Sequence, residues 1–201
     1  MRVALFAVFA LAASISLVQP LAAGPVTPAF GIVADPAYFF NNGEGYSGGY
    51  EFSVSNAVTV DDLGYYAPYG LTETHAVGIY NTSGTLLVST TVLTTDPATD
   101  FFAYDAINPY MLSAGTYWIM GSSGVVDDYA YTDDASITPS PGFSFVYGGY
   151  AYGNSLAFPT VTGTVTNFGP NLEFTTAPEP GTVGMLGAGL AALALLRKRI
   201  R

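Results

Sequence analysis

Between residues 24 and 177 no stretch sustains an apolar period of 3.6 residues, the spacing a helix needs to bury one face. Short runs of Val, Ile, Thr, Tyr and Phe are instead punctuated by Gly, Pro, Ser, Asn and Asp, which is the alternation of strands and turns. From Tyr50 a period of 2 puts Tyr50, Phe52 and Val54 on one face and Glu51 and Ser53 on the other. The pattern runs on through Val58, Val60, Leu63 and Tyr65 with a break at Asp61-Asp62, which predicts a turn or bulge there.

Thr74 to Tyr80 predicts a strand with His75, Val77 and Ile79 on its core face, near one edge. Asn81-Thr82-Ser83-Gly84 then turns the chain back into Thr85 to Leu93, with Gly84 in the left-handed position. After a polar loop from Thr94 to Asp100, Phe101 to Ile107 is expected as a strand. Pro109 to Thr116 leads into Tyr117 to Met120, which holds Trp118, the one tryptophan. Phe143 to Tyr147, Thr160 to Thr166 and Leu172 to Thr175 complete the set. Strands at this spacing predict an all-β fold, an antiparallel two-layer sandwich of jelly-roll-like kind.

The two ends read differently. Arg2, the apolar run Val3 to Val18 and then Pro20-Leu21-Ala22-Ala23, ending in small residues, are the n-region, h-region and cleavage site of a signal peptide over residues 1–23, with cleavage expected after Ala23. Near the other end, Pro178-Glu179-Pro180 precedes an uncharged run from Gly181 to Leu196, followed by Arg197, Lys198, Arg199 and Arg201. As a helix, residues 181–196 would rise about 24 Å, somewhat short of a ~30 Å hydrocarbon core but within reach of snorkelling cations and local thinning. Gly184 and Ala188 have small-xxx-small spacing, and the basic cluster favours a cytoplasmic C-terminus. The prolines discourage the helix from extending upstream and keep Glu179 in an extended, accessible segment.

Residues 178–201 resemble the PEP-CTERM sorting signal of bacterial surface and exopolysaccharide-associated proteins. The resemblance implies that Pro178, Glu179 and Pro180 are the motif recognised by an exosortase-like, membrane-embedded processing enzyme, and that Arg197 to Arg201 form the stop cluster. A plain membrane anchor with a proline linker is the other reading.

With both ends set aside, residues 24–177 form one exported domain. It contains 14 of the 15 carboxylates and none of the five basic residues, a formal charge of −14 against −10 for the whole chain. Such a domain repels nucleic acid and anionic lipid, and offers no guanidinium or ammonium side chain to grip phosphate. Cysteine is absent, which excludes disulfides, thiol catalysis and thiolate metal sites.

A second resemblance, over residues 50–122, is to uncharacterised β-sandwich domains of secreted bacterial proteins. It is carried by Phe52-Ser53-Val54, Val58-Thr59-Val60, Leu63-Gly64-Tyr65-Tyr66, Leu71 to Tyr80, Gly84 to Ser89 and Leu112 to Ile119. It implies a jelly-roll-like fold and brings no activity. The segment 125–166 lies outside it, as an insertion or as strands peculiar to the family.

His75 is the single histidine, so any Ser-His-Asp site would have to use it; a structural histidine is the plainer expectation. Asp127, Asp128, Asp133 and Asp134, beside Tyr129 and Tyr131, are the carboxylates a glycoside hydrolase would need. They are equally the best candidates for calcium, which takes roughly six to eight oxygen ligands, although no EF-hand spacing is present. Asp96, Asp100 and Asp105 form a weaker acidic group. Tyr147, Tyr150 and Tyr152, among Gly148, Gly149 and Gly153, could form an aromatic platform for sugar rings. Thr160, Thr162, Thr164 and Thr166 alternate on one strand, as threonines do on ice-binding surfaces, but one row makes no two-dimensional array.

The expectation is therefore a non-enzymatic, exported protein, sorted to the cell surface or exopolysaccharide matrix and acting structurally or adhesively. A carbohydrate-binding module is the alternative, with an ice-binding protein or a glycoside hydrolase further off. No cofactor is expected beyond a weakly indicated calcium. The expected partners are the processing enzyme, the membrane through the tail, an extracellular polysaccharide, and no nucleic acid.

Overall fold

The structure is a computed structural model describing residues 25–32, 38–39, 45–127, 129–130, 137–163 and 168–176. The predicted signal peptide, the sorting tail with its membrane helix, Asp128, Asp133, Asp134, Thr164 and Thr166 lie outside the described residues.

The chain is all-β: no helix occurs among the described residues, and none there is long and apolar enough to cross a membrane. Its strands are β1 (Thr27–Pro28), β2 (Phe30–Ile32), β3 (Tyr38–Phe39), β4 (Tyr46–Val54), β5 (Val58–Tyr66), β6 (His75–Asn81), β7 (Leu86–Val92), β8 (Ala98–Thr99), β9 (Phe102–Leu112), β10 (Gly115–Ser122), β11 (Tyr129–Ala130), β12 (Ile137–Pro139), β13 (Phe143–Tyr152), β14 (Val161–Gly163) and β15 (Pro170–Thr176). One sheet runs β1-β15-β5-β9-β8 and the other β14-β13-β4-β10-β6-β7. The small pairs β11-β3 and β12-β2 lie beside them. Every strand pair is antiparallel.

The inner faces of the two large sheets share one core, as in a sandwich. Tyr50, Phe52 and Ile119 of one sheet meet Val60, Leu63, Tyr65, Leu172 and Phe174 of the other. Burying each large side chain contributes roughly 1.5–3 kcal/mol, which replaces the disulfides the chain cannot form. The rings interlock across the layers, Phe143 lying 4.6 Å from Phe174 and Tyr50 4.7 Å from Phe168.

The predicted β6–β7 hairpin forms in the expected place. The Asn81 carboxamide oxygen accepts from the N–H groups of Ser83 and Thr85, and Gly84 takes a φ of 84°. The irregularity predicted at Asp61-Asp62 is a bulge, with register shifts against both neighbours of β5.

One expectation is corrected. The strand expected to stop at Ile107 continues through Pro109 to Leu112, because the bulge opposite Asp61 spares Pro109 the ladder hydrogen bond it cannot donate. Of the two readings of the segment 125–166, strands and not an insertion are found for β13, which lies against β4 along all of that strand.

On its outer face the six-stranded sheet carries a second small core. Tyr80, Trp118 and Met120 are covered by Leu156 and Phe158 of the 153–160 segment. Ser47 pins that segment, its hydroxyl donating to the Ala157 carbonyl at 2.8 Å and accepting from the Ala157 N–H at 3.0 Å.

Candidate functional site

His75 opens β6 on the core face, as its alternation with Val77 and Ile79 predicts, and is fully buried. Its imidazole stacks on Tyr65 of the opposite sheet, with centroids 3.9 Å apart and ring planes within 1°. Nδ1 lies 2.8 Å from the Ser122 carbonyl and Nε2 lies 3.0 Å from Asp127 Oδ2. Both ring nitrogens are thus engaged, one by a backbone carbonyl and the other by a carboxylate.

Asp127 also closes a reciprocal clasp. Its carboxylate accepts from the Thr72 hydroxyl, from the Thr72 N–H at 2.8 Å and from the Glu73 N–H at 2.9 Å. In return Glu73 Oε1 accepts from the N–H groups of Val125, Val126 and Asp127 at 2.8, 2.6 and 3.0 Å. Each carboxylate thus satisfies the backbone donors of the other's loop. Burial pushes the Asp127 carboxyl up, but the hydrogen bonds from Thr72, Glu73 and His75 outweigh it and hold the group below its ordinary value.

Glu73, His75 and Asp127 each bring one ligand atom within 4.8 Å of the others, the only such metal-capable trio among the described residues. The fit to a cation is poor, because Glu73 Oε1 and both Asp127 oxygens already accept the protein's own donors and His75 Nε2 is taken up by Asp127. A catalytic triad is not formed either: the Ser122 hydroxyl accepts from the Ala76 N–H at 2.8 Å, and it is the Ser122 carbonyl that faces the ring.

The five-stranded sheet gathers several carboxylates. Asp62 and Glu173 are cross-strand partners, Asp105 and Asp100 lie near, and no lysine or arginine occurs between residues 3 and 196. Burial, then Asp61 and Asp105, push the Asp62 carboxyl up; burial, then Asp62, Asp100 and Asp61, do the same to Glu173. Of the weaker acidic group of the sequence, Asp100 and Asp105 thus join the neighbourhood of the Asp62–Glu173 pair. Asp96 accepts from the Leu93 N–H within its own turn, Asp105 accepts from the Thr90 hydroxyl, and Asp100 sits at a φ of 49° beside Phe101 at 75°.

The structure divides the tyrosine platform. A bulge between Phe145 and Tyr147 shifts the alternation of β13. Tyr147 therefore falls on the face opposite Phe143 and Phe145, 5.3 Å from the Trp118 ring and beside Glu51, and the unbroken alternation from Tyr147 to Tyr152 places it opposite Tyr150 and Tyr152 as well. Tyr150 and Tyr152 point the other way and meet Tyr46, a residue the sequence reading passed over. Its signal would have been the cross-strand register of β4 and β13, which is not visible in the chain order. Thr160 and Thr162 are exposed on and beside the short β14.

These features define an acidic, antiparallel β-sandwich whose only histidine is built into its frame. Residues 34–169 match the family described as Domain of unknown function (DUF4082), and the chain belongs to that family. The match extends past residues 50–122 and takes in β13 and β14. Residues 176–199 match the PEP-CTERM protein-sorting motif, which marks an exported, cell-surface-directed protein processed by an exosortase. Among curated proteins no match is found.

Proposed function

We propose that this protein is a non-enzymatic sandwich displayed at the cell surface or in the exopolysaccharide matrix, where it serves a structural or adhesive role. The observation that carries the reading is the sorting motif at residues 176–199, directly after the last strand of the domain. The fate of His75 supports it. General acid–base work needs a group free to exchange its proton with substrate, whereas this imidazole is fully buried with both nitrogens engaged.

Replacing Pro178, Glu179 and Pro180 together by alanine tests the assignment. The wild-type chain is expected to yield a mature form lacking residues 1–23 and the basic tail by mass spectrometry. The variant is expected to remain membrane-bound with the tail in place, and normal processing of it would remove the basis for the proposal.

A further inference from the structure

The core-facing side of the six-stranded sheet extends past the core. On β4 and β13 the alternation that turns Tyr50, Phe52 and Phe145 inward turns Tyr46, Tyr150 and Tyr152 to the same side, with Tyr152 opposite Tyr46 and Tyr150 opposite Gly48. None of the three belongs to the buried core, and Tyr152 is 72% exposed. Gly48 leaves the position across from Tyr150 without a side chain. The ring centroids lie 5.9, 5.6 and 5.4 Å apart, and Tyr150 stands nearly perpendicular to both neighbours, at 89° and 87°. All three tyrosines therefore sit on paired strands that hold them in place before any ligand arrives.

We infer that Tyr46, Tyr150 and Tyr152 form a binding corner for a single chain of neutral polysaccharide. Hexopyranose rings present apolar C–H faces that stack on tyrosine, while their equatorial hydroxyls suit phenol groups at the rim. The charge of the domain selects the occupant. With 14 carboxylates and no lysine or arginine in residues 24–177, an anionic glycan, a nucleic acid or an acidic lipid surface is repelled and finds no cation to hold it. Ring planes set at right angles form a corner instead of a flat strip, which suits one soluble strand over the face of a crystalline polymer. The inference gives the proposed surface role a ligand class. It rests on that role for delivery only, so tail processing and glycan binding fail separately in their own experiments.

The test is non-denaturing affinity electrophoresis of the full chain in detergent, through gels containing hydroxyethylcellulose, mixed-linkage β-glucan, galactomannan or, as the charged control, alginate. Retardation is expected in at least one neutral gel and not in alginate. Tyr150→Ala and Tyr152→Ala should each weaken it roughly 2- to 10-fold, the range for loss of one aromatic stack. Tyr147→Ala, on the opposite face, should leave it unchanged. Tyr152 is exposed enough for its truncation to spare the fold, and an unchanged thermal midpoint confirms that control. No retardation in any neutral gel overturns the inference. So does retardation in alginate alone, retardation that survives the Tyr150→Ala,Tyr152→Ala double variant, or loss caused by Tyr147→Ala alone. Self-association abolished by Tyr152→Ala without retardation would reassign the corner to a second copy of this chain.

Discussion

The His75 imidazole lies flat on the Tyr65 ring, 3.9 Å between centroids, and so joins the first residue of β6 to the opposite sheet. The same ring reaches Ser122 at the end of β10 and Asp127 in the loop beyond it, making one side chain the meeting point of both layers and a loop.

His75→Phe and His75→Ala separate the two parts of this junction. Phenylalanine keeps a stacked ring but leaves Asp127 without its partner, whereas alanine also opens a cavity. Leaving a buried hydrogen-bonding group without its partner costs roughly 1–3 kcal/mol, and a large cavity adds further loss. Both variants should unfold at lower urea than wild type, alanine lowest; equal midpoints for wild type and His75→Phe would show that the ring alone matters.

The carboxylates set a pH dependence of two opposite signs. Asp62 and Glu173 have folded values raised above the ordinary 3.8 and 4.5, so the folded state takes up protons first and gains stability as pH falls toward those values. Asp127 is lowered from 3.8, so its contribution is present above that value and is lost as pH falls further. Thermal midpoints should therefore rise from neutral to mildly acidic pH and fall in stronger acid. Glu173→Gln should flatten the rise, and Asp127→Asn should blunt the fall from a lower starting stability.

Uncompensated charge also predicts salt dependence. Raising sodium chloride from about 0.02 to about 0.5 M shortens the screening length several-fold and should raise the melting temperature. Asp62→Asn should reduce that gain. Calcium and magnesium should act alike if they screen only, while a calcium-specific rise removed by EDTA would point to a coordinated ion.

Trp118 reports on the cover of the outer face. It is 3% exposed beneath Phe158, whose ring lies 6.0 Å away. Phe158→Ala should red-shift the emission of this single tryptophan and increase its quenching by acrylamide while strands β4, β10 and β13 remain folded. An unchanged spectrum would mean that Phe158 does not shield the indole.

Close approach of backbones makes Gly49 the most sensitive glycine to test. A Cβ there would sit 1.9 Å from the Ile119 carbonyl oxygen, whereas one at Gly163 meets nothing within 4 Å. Gly49→Ala should cost a few kcal/mol, the scale of overpacking, and Gly163→Ala should be nearly neutral in the same denaturant series.

Strand content, the β6–β7 turn and the Asp61 bulge could be read in the sequence because each is written in neighbouring residues. The clasp could not, because Asp127 stands 52 residues from His75 and looks, in the chain, like one more acidic loop residue. Glu73 hides in the same way: only the folded loop brings three backbone N–H groups to its oxygen. The side on which the tyrosines fall is hidden for a third reason. Counting by twos from the buried Phe143 and Phe145 would turn Tyr147 inward and Tyr150 and Tyr152 outward, and the extra residue at the bulge after Phe145 reverses both.

The position of β15 carries a consequence for the order of events in the living cell. Last of the strands among the described residues, it lies inside its sheet between β1 and β5, and the sorting motif begins at its final residue. The sheet therefore cannot be completed until residues 170–176 have been synthesised and translocated. Residues 177–180 span at most about 14 Å when fully stretched. Whatever processes that tripeptide must either work within a few residues' reach of a finished sheet or arrive before its last interior strand has docked, so maturation and the closing step of folding compete for the same short piece of chain.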